Sequence, residues 1–589
     1  MTAIWLWVKS FQKKFLSPAQ WPTLCQVSGA VLLLVLVLAS ISSSLVLWPR
    51  GDEADYLLQA RSIAEGQLPY RDFFVFMTPL GQWLSAGLVR LMGVNVLGIR
   101  LVLLGLWALE WLMLFRLARR VMPMRWVLLM LAFLWAVDTR YLVDQHHFWS
   151  GFFALAAVYQ VSQWLFEGRT ASKRLVFSGL LASAAFWSTQ SLGVFLAVAL
   201  LGFSFWDSHM AESDLASRAR AWWHHWGRFA VMPAVGMSLV IVAVFYGLGI
   251  FDDFWRDTMG WLSGGHYAQT TIISPWSTFH DEWEKTLLPL FLSNIQYPIK
   301  AIFIPRLFIA LLLAAIFILP MPVLGWALAK TFGALGKIFV VNVQDNESEN
   351  KAALVVSDSV WVLWAFSAIA MTVSTFTYAT SMHIASNSGL VYLLAFSGLA
   401  FCARACQKKV KFIEPLLQTA LSCCYILVFI GVCIGCWMHF AYGYWLPAFR
   451  PMAGRTLFID GQQKAVSMLE TIDAANLAVA QGKKVMVFYQ SPELYLAGDF
   501  HNPTRFTLIL PYYTSDAQVS EMLKKLEQDP PACVIDDHSL YGLLGDPRFS
   551  RYAAQTFGML RVPGIEAWLN RHYRIASRNP YFTLYQRGW

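Results

Sequence analysis

A succession of apolar runs separated by short polar segments constrains this chain more than any other feature. A membrane-crossing helix takes about 20 apolar residues, and about eleven runs approach that length. They lie near 28–48, 96–118, 124–139, 148–166, 175–190, 191–206, 229–250, 302–325, 356–377, 386–403 and 416–446. The pair at 175–206 reads either as two short helices joined at Ser188-Thr189-Gln190-Ser191 or as one long helix. Residues are 57% hydrophobic and 14% charged, against about 25% charged in soluble domains. A water-soluble fold could not cover that much apolar surface. The expected class is a polytopic α-helical membrane protein, and 27 Trp agree with it, because Trp favours the membrane–water interface.

The formal charge of +9 does not point to nucleic acid. The basic residues fall in short clusters between apolar runs, such as Lys9/Lys13/Lys14, Arg116/Arg119/Arg120/Arg125 and Arg404/Lys408/Lys409/Lys411. That is a topology signal rather than a binding face. The intervening connections, DTRYLVDQHH (138–147), STQS (188–191) and TYATSMHIAS (377–386), are poor in Lys and Arg. The positive-inside rule places the basic set and the N-terminus in the cytoplasm. An odd number of spans then puts 49–95, 251–301 and 447–589 on the outer side. The first apolar run has span length, so it reads as an uncleaved first helix.

The C-terminal 447–589 is a different material and reads as an extracytoplasmic α/β domain, following a transmembrane domain over 1–446. KKVMVFYQ (483–490), RFTLILP (505–511) and ACVIDD (532–537) have strand patterns. SDAQVSEMLKKLEQ (515–528) reads as a helix capped by Thr514 or Ser515, and YRIASRNPYFTLYQ (573–586) as a closing hairpin. No glycine-rich nucleotide motif is present. Of eight cysteines, Cys433 and Cys436 form a C-x-x-C inside an expected membrane helix, where packing explains them better than redox or zinc chemistry.

The segment RGDEADYLLQARSIAEGQLPYRDFF (50–74) concentrates charge beside the first apolar run. Asp52 suits the cap of a helix, with Asp55 three residues on in a capping-box-like position. Tyr56, Leu57, Ala60, Ile63 and Ala64 recur at helical spacing, Gly66 suits the C′ position, and Pro69 stops continuation. An amphipathic helix lying in the membrane interface is expected. Capping and solvation account for Glu53, Asp55 and Glu65. Asp52 and Asp72 sit at chain reversals, where chemistry is more often placed.

This pattern resembles the GT-C glycosyltransferases, in particular the bacterial branch of the protein O-mannosyltransferase and aminoarabinose transferase superfamily. The matching residues are Asp52-Glu53-Ala54-Asp55-Tyr56, Gly66-Gln67-Leu68-Pro69-Tyr70-Arg71-Asp72 and Thr78-Pro79-Leu80-Gly81. The resemblance implies a multi-pass inner-membrane enzyme that takes a sugar from a polyprenyl-phosphate carrier to a glycan, lipid or protein acceptor on the outer face. It places Asp52 on the acid assigned as base or as metal or acceptor contact; Glu53, Tyr56 and Tyr70, in the same motif, are candidates for acceptor contact or positioning. Several relatives carry a Lys before the later Pro for the phosphate. Here Met77-Thr78 stands there, so Asp72 is taken as the second acid and the phosphate needs other partners.

Glycosyl transfer needs a base for the acceptor hydroxyl, worth about 10²–10⁴-fold, and neutralisation of a phosphate leaving group. The Arg fork matches phosphate oxygens, which makes Arg61, Arg71, Arg100 and Arg140 candidates. Interfacial snorkelling is the bland alternative for each. Asp144, His146, His147 and Gln190 form a second polar constellation on the same expected side. Adjacent His do not have zinc-helix spacing, so a contact to phosphate or sugar is the sharper reading. A divalent ion between Asp52, Asp72 and phosphate is compatible with the residues, and nothing demands it. The 251–301 loop, with Gly264-Gly265-His266-Tyr267, is read as a lid over the lipid-entry side. A transporter or flippase, and a polysaccharide ligase or polymerase, remain the competing classes. Against the transporter, the charge collects at the outer rim, and Glu110 is the clearest charge within a span.

Overall fold

The computed structural model describes residues 52–138, 146–211, 214–260, 358–374, 389–409, 463–479, 484–488, 491–509, 514–537 and 563–588. Helix α1 (Asp52–Ala64) and α2 (Leu80–Met92) pack as neighbours at one end of a helical bundle. The bundle continues through α3 (Val96–Val121), α4 (Met124–Asp138), α5 (His146–Phe166), α6 (Lys173–Ser188) and α7 (Gln190–Ala211). Next come α8 (Leu215–Trp222), a π-helical segment (Trp223–Val231), α9 (Met232–Leu248), α10 (Phe251–Trp255) and a second π turn (Arg256–Gly260). Helices α11 (Asp358–Val373) and α12 (Gly389–Lys409) return to pack on the same core.

Local sequence explains these boundaries. Asn95 caps α3 by accepting from the Gly98 amide at 3.0 Å, which satisfies a donor that the first turn leaves orphaned. Thr189 is extended (φ −152°, ψ 112°), so the ambiguous 175–206 stretch is two helices with a break at Thr189. Gly249 ends α9 in the left-handed region. Among the described residues three helical stretches are long and apolar enough to cross a membrane: Val96–Val121, Gln190–Met210 and Leu215–Leu248. The expected runs at 28–48, 302–325 and 416–446, and the Cys433/Cys436 pair, lie outside the described residues.

The C-terminal part adds α13 (Gln463–Ala478), α14 (Glu493–Gly498), α15 (Asp516–Gln528) and α16 (Pro563–His572) around a four-stranded sheet. The strands are β1 (Val485–Phe488), β2 (Cys533–Asp537), β3 (Tyr573–Arg578) and β4 (Phe582–Arg587), in the order β1-β2-β4-β3. β1 and β2 are parallel, and β4 is antiparallel to both neighbours. Alternation along β1 splits the core. Val485 and Val487 join the α13 and α14 side, while Met486 and Phe488 join Met522, Leu526 and Trp568 on the other side. Ser515 and Gln518 form a complete capping box on α15, a device worth about 1 kcal/mol. Asn579 closes the β3–β4 hairpin by accepting from the Tyr581 and Phe582 amides.

Two expectations differ from the structure. The described part of 505–511 is irregular rather than a strand. Its main chain instead turns to the loop after α1, where the Phe74 amide donates to the Arg505 carbonyl at 2.7 Å. Nor does α1 show a single buried face. Glu53, Ala54 and every residue from Tyr56 to Arg61 are buried, because α2 covers one side and α14 approaches from another. One apolar cluster runs from the bundle through α1 to the α13–α14 side of the sheet.

Candidate active site

The acids of α1 take three separate environments. Glu53 is buried and held by Arg100 of α3, with Nε to Oε1 at 2.8 Å and Nη2 to Oε2 at 2.5 Å. This two-pronged pair fixes α1 against α3. Arg100, a candidate phosphate ligand by sequence, thus directs its guanidinium at Glu53. Asp55 does not close a capping box. Its Oδ1 accepts from the Thr507 hydroxyl at 2.6 Å and its Oδ2 from Gln59 Nε2 at 2.6 Å. Glu65 accepts from Arg61 Nε at 2.7 Å.

Asp52, at the first position of α1, is solvent-exposed. The surrounding protein raises its carboxyl above the ordinary value by desolvation. Desolvation also pushes Asp55 up to about 7; the Thr507 hydrogen bond opposes the rise, the Asp52 charge adds to it, and the Gln59 hydrogen bond opposes it. Asp55, one helical turn from Asp52, is therefore the carboxyl of the pair that titrates near neutrality.

Tyr56 links the two polar constellations. A methyl placed on Gly81 would lie 2.1 Å from the Tyr56 hydroxyl and 3.2 Å from the Trp149 ring, so Gly81 is required by close approach. Trp149 donates to Ser85 on the next turn of α2 at 3.2 Å. The His146 ring lies 6.4 Å from that of Tyr56 and 3.9 Å from that of His147, by ring centroids. The helix break supports this corner. Thr189 donates to the His146 carbonyl at 3.2 Å. Gln190 donates to the Phe76 carbonyl at 2.8 Å and accepts from the Thr78 amide at 3.3 Å. Gln190 therefore braces the 76–78 loop with both ends of its amide.

The 66–74 turn holds the remaining candidates. Gly66 takes φ +95° at the C′ position, as its place after α1 predicts. Asp72 accepts from the Leu68 amide at 2.7 Å and pairs with Arg71 at 3.3 Å. Both side chains of this pair are accessible, and the carboxylate closes the turn. Tyr70 is buried with φ +68°, and its hydroxyl donates to the Met77 carbonyl at 2.7 Å. Burial, with the Asp257 carboxylate adding to it, pushes its phenol well above the ordinary value, so it acts as a fixed donor. Arg61 is buried and bridges Glu65 and Asp499 of the sheet-bearing part, the latter at 2.9 Å. Arg140, Asp144 and the Gly264–Tyr267 part of the expected lid lie outside the described residues.

Several participants escaped the sequence reading. Arg505 donates to Asp257 Oδ2 at 2.5 Å, to the Tyr70 carbonyl at 3.1 Å and to Glu521 at 2.6 Å. Arg256 also reaches Asp257, at 2.8 Å. Thr507 and Asp499 belong to the same group. Apart from Glu521, their partners here lie 248 to 452 positions away for Arg505 and Thr507, so no local signal marks them. Among the described residues no three His, Cys, Asp or Glu side chains are grouped to hold a metal ion.

No protein-family model matches the chain, and no curated protein matches it. Among solved structures it is similar to the Archaeoglobus fulgidus oligosaccharyltransferase in the apo form. The identity is 14%, covering 92% of this chain and 72% of that one, with a TM-score of 0.45. It is also similar to ArnT from Cupriavidus metallidurans bound to undecaprenyl phosphate, at 14% identity, 97% and 98% coverage and TM-score 0.42. A third similar structure is the archaeal oligosaccharyltransferase AglB with an inhibitory peptide and a dolichol-phosphate, at 13% identity, 95% and 74% coverage and TM-score 0.38. All three TM-scores lie below 0.5.

Proposed function

We propose that this chain is an integral-membrane glycosyltransferase. It moves a sugar from a polyprenyl-phosphate-linked donor to a cell-envelope acceptor on the outer face of the membrane. The observation that carries the reading is the contrast between neighbours at the start of α1: Glu53 is locked to Arg100, while Asp52 offers an accessible carboxylate with a raised proton affinity. In the reaction the acceptor oxygen forms a bond to the sugar's anomeric carbon. The bond from that carbon to the phosphate oxygen breaks, the phosphate leaves with the electron pair, and Asp52 takes the acceptor proton. His146, beside Tyr56, and Arg71, accessible on the 66–74 turn, are the proposed contacts to phosphate or sugar among the described residues. Arg140, Asp144 and His147 are assigned to the same group. Residues 1–446 carry the transmembrane part and 447–589 the outer one. Asp72 is the lesser acid, since its carboxylate already closes a turn.

The test is Asp52→Asn in full-length protein, assayed with a panel of undecaprenyl-phosphate sugars. Transfer is expected to fall by about 10²–10⁴-fold with insertion and melting temperature unchanged. Wild-type transfer by the variant would overturn the assignment. Movement of intact substrate across sealed vesicles without transfer would favour a transporter instead.

A further inference from the structure

The segment 499–507 lies along the site rather than in the sheet. Asp499 pairs with Arg61 of α1 at 2.9 Å. The Arg505 carbonyl accepts from Phe74, and its guanidinium holds the Tyr70 carbonyl and Asp257. That guanidinium also lies over the Phe506 ring at 4.8 Å and the Phe74 ring at 5.8 Å. Thr507 donates to Asp55 at 2.6 Å. These contacts grip α1 at Arg61 and Asp55 and the following turn at Tyr70 and Phe74. They converge on the part of the chain that carries Asp52.

We propose that Thr507 and Arg505 are positioning residues for the Asp52 helix, so that the reaction site is complete only when the C-terminal sheet-bearing part is docked on it. This rests on the reading of Asp52 as the reactive carboxylate. Thr507 acts through Asp55. Asp55 faces Gln59 and Asp52 from its own helix and Thr507 from the opposite side. A donated hydroxyl favours the ionised Asp55 carboxylate, and Asp55 lies within the field of Asp52, whose charge raises it. Arg505 acts through the backbone: with Arg256 it supplies the donors to the carbonyl of Tyr70, a buried non-glycine residue in the left-handed region. An unpaired carbonyl there would be costly, so the turn keeps its shape only while these donors are in place.

A substrate-independent readout separates this proposal from the functional reading. Carbodiimide-driven coupling of glycine ethyl ester, followed by mass spectrometry, reports the protonated fraction of each carboxyl in the full-length protein across pH. Labelling of Asp55 is expected to fall with a midpoint of about 7 in the wild type. Thr507→Val keeps the side-chain shape and removes the donor. It should raise that midpoint by about one pH unit, the tenfold change expected when a hydrogen bond to a charged group is lost. Thr507→Ser should restore it. Transfer at pH 7 should fall about tenfold in Thr507→Val and recover in Thr507→Ser. An unchanged midpoint in Thr507→Val overturns the proposal, and so does a shifted midpoint with wild-type transfer. A wild-type protein that transfers none of the undecaprenyl-phosphate sugars sinks the functional reading instead, and the labelling midpoint then decides the contact by itself.

Discussion

Arg100 grips Glu53 through two guanidinium nitrogens, and both side chains are more than nine-tenths buried. Burying both charges is tolerable because each satisfies the other. Removing one partner leaves the other charge stranded, which costs about 3–5 kcal/mol. Arg100→Leu should therefore lower the melting temperature of the purified protein sharply. Replacing both as Glu53→Met/Arg100→Leu should recover most of the loss. A double variant no more stable than Arg100→Leu would show that the pair is not the source of the effect.

Gly81→Ala should displace Tyr56, since the added carbon would meet its hydroxyl at 2.1 Å. Overpacking of this kind costs about 1–3 kcal/mol. Removing the obstructing atom with Tyr56→Phe in the same chain should relieve part of the defect, read as melting temperature. Additive losses in the double variant would contradict the close-packing account.

The raised carboxyl of Asp55 makes stability fall as pH rises. Its folded-state value is about 7 against an ordinary value of 3.8. The folded state therefore binds the extra proton between those values, and stability is lost as pH climbs through that window. About three units correspond to on the order of 4 kcal/mol as an upper bound. Asp55→Asn removes the buried charge, so it should stabilise the protein above pH 7 and change little near pH 4. Melting temperatures measured from pH 4 to 8 check this, and parallel curves for the two proteins would refute it.

Arg505 should not be replaceable by Lys. Its fork serves Asp257, Glu521 and the Tyr70 carbonyl together, and an ammonium cannot reproduce that geometry. Arg505→Lys and Arg505→Gln should both speed hydrogen exchange across 66–77 while leaving α5 and α6 protected. Wild-type exchange in Arg505→Lys would mean that charge alone suffices.

Much of the local structure was legible in the sequence. Gly66 after an apolar helix, Ser515 followed by Gln518, and Asn579-Pro580 between two alternating runs each act within a few residues. Their outcomes depend on nearby backbone geometry. The Thr189 break was legible only as a choice, because two short helices and one long one have the same apolar pattern. The acids of α1 were misleading for a related reason. Capping and solvation are the local options for Asp55 and Glu53, but long-range partners took both.

The sequence by itself determined the class of chain: apolar runs fix helices that must be buried or placed in lipid, and short β-branched and aromatic runs between turn residues mark β1, β2 and the closing hairpin. It also singled out the Asp52–Gly81 motif. Only the tertiary structure decided which acid is engaged and which is accessible, that Gly81 makes room for Tyr56, and that 499–507 lies on α1 rather than in the sheet. The physical reason is range. Helix and strand periodicity act over a few residues, whereas the Thr507–Asp55 and Arg100–Glu53 pairs join positions 452 and 47 apart.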